Sequence, residues 1–195
     1  MTRVKQERTD QRTRMTKRLL QGALVDLMRE KPIRDVTVKE LCQRADVNRS
    51  TFYLHYQDIY SLMEELEGEI SRELTDALSQ MPQAADQDSF SAFYTAIFTL
   101  FARHAELCEI LLGENGDKAF VEQVFAMGRE KCVAEWARLY PKAPRQQVEM
   151  YYTFLSSGCV GLLRAWFASG CREDPKIVGR QVERLVQTSI RTLEE

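Results

Sequence analysis

Several kinds of chemistry are missing from this 195-residue chain. Its two histidines, His55 and His104, stand far apart, and no run of His, Cys, Asp or Glu has the spacing of a metal site. It has no Gly-rich phosphate loop and no nucleophile motif, so an all-α enzyme is a weak alternative, and neither metal nor cofactor is expected. The five cysteines (Cys42, Cys108, Cys132, Cys159, Cys171) are odd in number, scattered and free of any Cys-x-x-Cys, which argues against a disulfide framework and a structural zinc. Nothing marks any of them as an activated, oxidant-sensing thiol, and Cys42 reads as a small core residue. No apolar run approaches the roughly 18 residues that a membrane span requires. The Met1–Gln21 stretch is rich in Arg and Lys but has no long apolar core, so it is not expected to act as a secretory signal. No segment alternates convincingly as a strand, and no repeat is visible. The expected setting is a reducing cytoplasm.

What is present is unevenly distributed. The net charge is only −2, yet residues 1–60 hold 13 Lys+Arg against 8 Asp+Glu, while residues 61–195 hold 14 against 21. A basic head on an acidic body suggests local contact with a polyanion. The length suits one large domain or two small ones.

The most informative stretch is Thr37–Tyr56. Thr37 can cap a helix, and Glu40 three residues later can reach back to it, which is a capping box. Val36 and Leu41 can close a hydrophobic staple over that turn, and Val38, Leu41, Cys42 and Ala45 share one face. Asn48 starts a second short helix, with Val47 and Phe52 placed to staple it. Two capped helices joined by so short a turn form a helix-turn-helix pattern, whose second helix can lie in the DNA major groove. With Val47, Phe52 and Tyr56 inward, Arg49, Ser50, Thr51, Tyr53 and His55 become the outward candidates. Arg can address guanine bidentately, and Ser, Thr and Tyr can bind bases or phosphates.

Along the chain, residues 1–9 are polar and basic and read as a flexible arm. A first helix is expected from about Asp10 to Glu30, with Met15, Leu19, Ala23, Leu24, Leu27 and Met28 as its buried stripe, ended at Pro32. Asp58 can cap a fourth helix carrying Leu62, Met63, Leu66, Ile70, Leu74, Ala77 and Leu78. Residues 81–88 read as a connector and residues 113–116 as a turn. Five further helices follow, the last opening at Asp174-Pro175. The fold class is therefore all-α, with about nine helices.

The head, roughly Asp10 to Ile70, resembles the DNA-binding domain of TetR-family transcription regulators. The most specific piece is Thr51 to Tyr56, Thr-Phe-Tyr-Leu-His-Tyr. The body, with Gly158-x-x-Gly161 and Arg164-Ala-Trp166-Phe, is similar to the family's ligand-binding and dimerisation region in a branch common in Gram-positive bacteria. The resemblance implies a DNA-binding domain at 10–57, after the arm at 1–9, and an effector-binding and dimerisation domain at 58–195. It implies that Thr37 contacts phosphate by hydroxyl or backbone N–H, with Lys39 beside it. Arg49, Ser50 and Thr51 would face bases or nearby backbone, and Tyr53, His55 and Tyr56 would occupy the segment that meets phosphates and packs the helix. The chain departs from the family at Asp46, where Gly is common, and at Ile59, where Lys is common. The basic arm (Arg3, Lys5, Arg8, Arg12, Arg14) could replace the contact that Ile59 lacks.

In the body, Phe93, Tyr94, Phe98, Phe101, Phe120, Phe125, Tyr151, Tyr152 and Phe154 make an aromatic-rich interior, with a plain core as the simpler reading of any one of them. The effector-pocket candidates are Phe93, Phe98, Phe101, Phe120, Phe125, Tyr151 and Phe154. For a dimer interface the candidates are Leu155, Cys159, Leu162 and Trp166 on one helix and Val178, Val182 and Leu185 on the next, with Ser157 and Gly161 permitting close approach. The expected protein is a homodimeric regulator, most often a repressor, that binds a palindromic double-stranded operator under control of a small-molecule effector. It is placed in the bacterial cytoplasm, nucleoid-associated when bound. The same head on a body that binds a protein partner is the alternative.

Overall fold

The computed structural model describes the backbone of residues 2–82, 87–113 and 116–194, and the side chains of 11–82, 90–113 and 116–193. Among them are nine α-helices, two short 3-10 segments and no strand. No described helix is long and apolar enough to cross a membrane. The expected connector 81–88 and turn 113–116 fall partly outside the described residues, as do the side chains of Arg3, Lys5 and Arg8.

Contacts divide the chain into two compact units, Met1–Glu69 with Glu114–Gly116, and Ile70–Gly113 with Asp117–Glu195. In the first, α1 (Thr2–Glu30) is followed by a 3-10 turn (Ile33–Asp35), α2 (Val38–Ala45), α3 (Arg49–Tyr53) and the first half of α4 (Ile59–Ser79). The stretch expected as a flexible arm is helical from Thr2. No glycine or proline precedes Gly22, and Arg, Lys, Gln and Glu are good helix formers, so the packed part of α1 propagates toward the N-terminus. The buried stripe of α1 is also rotated from expectation. Leu20, Ala23, Leu24, Val25, Leu27 and Met28 are buried, whereas Met15 and Leu19 are exposed.

The division between these contact units falls inside α4, between Glu69 and Ile70. Asp58 does cap α4, accepting from the Ser61 amide at 2.8 Å. Glu65, a turn further on, is tied into the first unit by Lys17 Nζ (2.6 Å), Gln21 Nε2 (3.3 Å) and Tyr56 Oη (3.1 Å).

The second unit contains the end of α4, then α5 (Gln87–Arg103), α6 (Ala105–Leu112), α7 (Lys118–Leu139), α8 (Arg145–Ala168) and α9 (Pro175–Ile190), with a closing 3-10 turn. Asp117 caps α7 through the amides of Ala119 and Phe120, and Asp174 caps α9 through that of Lys176. The α8–α9 turn passes through left-handed backbone at Gly170 (φ 74°) and Cys171 (φ 52°), and is tied by Trp166 Nε1 donating to Glu173 O at 3.1 Å. α5 packs on α9, and at Gly179 a Cβ would meet the Tyr94–Thr95 backbone at 3.1 Å. Glycine there lets the two helices approach.

Candidate nucleic-acid interface and cavity

The helix-turn-helix is built as its sequence dictates. Thr37 Oγ1 accepts from the Glu40 amide at 3.3 Å, and the Glu40 carboxylate accepts from the Thr37 amide (3.1 Å) and hydroxyl (2.7 Å). Lys31 Nζ lies 2.8 Å from the same carboxylate. Hydrogen bonds from Lys31 and then from Thr37 hold the Glu40 carboxyl down at about 2. The turn runs through Asp46 in left-handed geometry (φ 52°, ψ 43°), a conformation that Asp adopts at less cost than most residues. Asn48 Oδ1 then accepts from the amide and the hydroxyl of Ser50, both at 3.0 Å.

α3 buries one side chain, Phe52, which has no exposed surface. Arg49, Ser50 and Tyr53 are exposed, as is Lys39 on α2, while Thr51 and His55 are half-buried. Leu54, which no sequence signal singled out, is 79% exposed just past α3. It supplies an apolar surface of the type that contacts thymine methyl groups.

Two of the expected contact residues are differently employed. Tyr56 is buried: its hydroxyl donates to Glu65, and Lys17 Nζ sits 5.3 Å from its ring centroid. Burial and then the Glu65 carboxylate push its phenol well above the ordinary range. It packs the end of α3 and is not available for a direct phosphate contact. Thr37 likewise spends both its hydroxyl and its amide hydrogen on Glu40. Donors toward a phosphate at this helix start would be the Val38 and Lys39 amides, which lie in the first turn of α2 and have no partner within the helix. Ile59 is buried, in keeping with the loss of a cation there.

The second unit holds a partly open cavity of about 210 Å³. Phe93, Phe98, Phe101, Phe120 and Phe125 line it, joined by Tyr94, Trp136 and Tyr152. Two expected pocket residues do not. Phe154 is 73% exposed, and the Tyr151 hydroxyl lies 2.6 Å from Thr192 Oγ1. The reason is angular. α8 turns Tyr152, Leu155, Ser156, Cys159 and Leu163 toward the cavity, and at 3.6 residues per turn Tyr151 and Phe154 fall away from them.

The same rotation corrects the interface candidates. Leu155, Trp166, Val178 and Val182 are buried within the unit, and Cys159 lines the cavity. Only Leu162 (42% exposed) and Leu185 (57%) face outward, accompanied by Phe154 on α8 and Ile177 on α9. A Cβ at Gly158 or Gly161 would meet nothing within 4 Å. Burial raises the thiols of Cys132 and Cys108 to about 12 and that of Cys159 to about 11, the opposite direction to an activated thiolate. Among the described residues no cluster could hold a metal ion.

Known proteins resemble this arrangement in both halves. Residues 20–66 match the family described as bacterial regulatory proteins, tetR family, and residues 88–188 match its TetR-type C-terminal region of transcriptional regulators. The HTH-type transcriptional regulator YxbF of Bacillus subtilis (strain 168), itself uncharacterised, is 36% identical over 64 residues. That match covers 30% of this chain, and the chain spans 17% of the length of that relative. NalD of Pseudomonas aeruginosa, the secondary repressor of the MexAB-OprM multidrug efflux pump, has a similar fold (TM-score 0.70, 14% identity, 91% of this chain and 96% of that one). So does FadR of Bacillus halodurans, a fatty acid degradation regulator (TM-score 0.66, 15% identity, 88% and 94%). The C-terminal match alone spans more than half of the sequence, and this chain belongs to the TetR family of bacterial transcription regulators.

Proposed function

We propose that the protein is a sequence-specific DNA-binding regulator that acts as a homodimer on a palindromic operator, in the simplest case as a repressor, and that a small molecule in the cavity controls its DNA affinity. It works in the bacterial cytoplasm, at the nucleoid when bound. In this reading residues 10–57 hold the DNA and residues 58–195 hold the effector and the second subunit.

The observation that carries the reading is α3, a helix of five residues anchored by one buried side chain, Phe52, with Arg49, Ser50 and Tyr53 left exposed. A helix with that outer face suits the major groove. Lys39 and the amides opening α2 add phosphate donors, with His55 and Thr51 at the margin. Pairing is supported by the outward face of α8 and α9. Phe154, Leu162, Ile177 and Leu185 are exposed there, and Gly161 and Gly158 cost helix stability with no described residue close enough to require them. A two-fold pairing would place two heads on half-sites one helical turn apart. The apolar cavity favours a small effector over a protein partner for the body. To act, that effector must bind one spacing of the heads better than another. α4 contributes residues to both units and Ile70, Leu74 and Leu78 to the cavity wall, which makes it the natural lever.

Selection of bound DNA from random duplexes tests the proposal. A palindrome is the expected product; no enriched sequence, or binding that does not weaken as salt rises, would overturn it. Arg49→Ala should weaken selected-site binding by about 1–3 kcal/mol and relax preference at one position per half-site.

A further inference from the structure

The cavity in the second unit carries more chemistry than its existence. All of its described lining side chains are uncharged: among the described residues no Asp, Glu, Lys, Arg or His reaches it, nor any Asn or Gln. A charged ligand group would enter it without a partner, and an unpaired buried charge costs far more than apolar contacts return. The volume, about 210 Å³, is somewhat above the roughly 150 Å³ of an apolar cavity that holds benzene, and below the range of drug-sized sites.

The few polar groups on the wall are mostly occupied. Tyr152 Oη donates to Phe125 O at 2.8 Å, in space that Gly128 leaves open, since a Cβ there would lie 2.9 Å from that oxygen. Ser156 Oγ donates to Thr153 O at 3.2 Å. Tyr94 on α5 differs. It lines the cavity, its ring rests edge-on against Phe93, and its hydroxyl makes no hydrogen bond to any described residue. Burial, with the Cys132 and Cys159 thiols, pushes that phenol further above its ordinary value, and like any tyrosine near neutral pH it is a neutral O–H donor. Tyr94 is half-buried on the cavity wall, and a hydroxyl with no acceptor among the described residues is a donor that a ligand oxygen can engage.

We infer that the cavity takes an uncharged, predominantly apolar molecule somewhat larger than benzene, carrying an oxygen acceptor such as an ester or ketone that receives the Tyr94 hydroxyl hydrogen bond. This rests on the effector site proposed above and names the chemistry of its occupant. Glu183 on α9 is buried and influences Tyr94, but it does not line the cavity. A lipophilic cation is therefore the sharpest competing ligand.

Four probes of matched shape decide the matter: methyl 4-ethylbenzoate, 1-ethyl-4-propylbenzene, 4-propylbenzoate and 4-propylbenzylammonium. Binding is read from the full-length protein by titration calorimetry and by Trp136 fluorescence. The ester should bind tightest, the hydrocarbon roughly 3- to 10-fold more weakly for want of one hydrogen bond, and both ions at least tenfold more weakly than the ester. Tyr94→Phe, which removes one oxygen, should abolish the preference for ester over hydrocarbon while leaving hydrocarbon binding intact. Tighter binding of either ion, an unchanged preference in Tyr94→Phe, or no binding by any probe would overturn the inference. A parallel measurement of operator release separates the two proposals. Ester binding through Tyr94 without DNA release would refute effector control and leave the ligand chemistry standing, whereas ester-independent DNA binding with an empty, unresponsive cavity would refute the ligand chemistry alone.

Discussion

Phe154→Ala distinguishes most sharply between the faces of α8. The ring is 73% exposed, although its neighbours Tyr152 and Leu155 are buried. Complete burial of a Phe side chain contributes about 1.5–3 kcal/mol, so covering what is open here would yield roughly 1–2 kcal/mol for each copy. A two-fold interface contains two copies, which makes about 2–4 kcal/mol for the dimer. At tenfold per 1.4 kcal/mol, the substitution should raise the dimer dissociation constant roughly 30- to 700-fold. Sedimentation equilibrium over a dilution series measures this directly. The melting temperature of the dilute, dissociated protein should hardly change, because the side chain has little packing in its own subunit. The hydrocarbon and ester affinities of the cavity should also stay the same, since Phe154 is absent from its wall. A dissociation constant within threefold of the parent, or a loss of ligand binding, would refute the assignment of this face to pairing.

Two further substitutions address the head. Tyr56→Phe removes the hydroxyl bonded to Glu65 and should cost about 1–2 kcal/mol of head stability, read by hydrogen exchange of α3 and α4, while the selected DNA sequence stays the same; a changed sequence would return Tyr56 to the contact set. Glu40 falls from an ordinary 4.5 to about 2 in the folded head, so its contribution is fully present above about pH 4.5 and fades as pH drops toward 2. Glu40→Gln should therefore flatten the acid unfolding curve between pH 5 and 2, and an unaltered curve would show that the capping box carries no linkage.

The helix-turn-helix was legible because its determinants are local. A capping box, an Asn cap and a Phe at the right interval specify α2, the turn and α3 from residues within four positions of one another, and Asp46 tolerates the left-handed turn that its neighbours demand. Helix starts at Asp58 and Asp174 follow the same rule, whereas the Asp117 cap of α7 was not read from the sequence. The extent of α1 was harder to read. Its first turns carry no apolar pattern, and good helix formers without a breaker leave the end to propagation from the packed part.

Facing was the other thing that local pattern could not supply. α8 is apolar around much of its circumference, so periodicity offers two faces for burial and no means of ranking them. Packing against α9 and α7 ranks them: Tyr152, Leu155 and Cys159 turn toward the cavity, and Phe154, Gly161 and Leu162 turn out. Tyr56 and Tyr94 show the same limit from the polar side. Each phenol had a plausible local role, but a Glu65 carboxylate nine residues along claimed one, while the folding of α5 into an apolar chamber left the other without an acceptor among the described residues. Sequence alone determined the class of the protein, the capped helix starts at Thr37, Asn48, Asp58 and Asp174, and the helix-turn-helix head, because those depend on neighbours along the chain. Which faces of α8 and α9 stay exposed, which line the cavity and which hydroxyl has no acceptor among the described residues were decided by tertiary structure, because they depend on the angle at which one helix meets another.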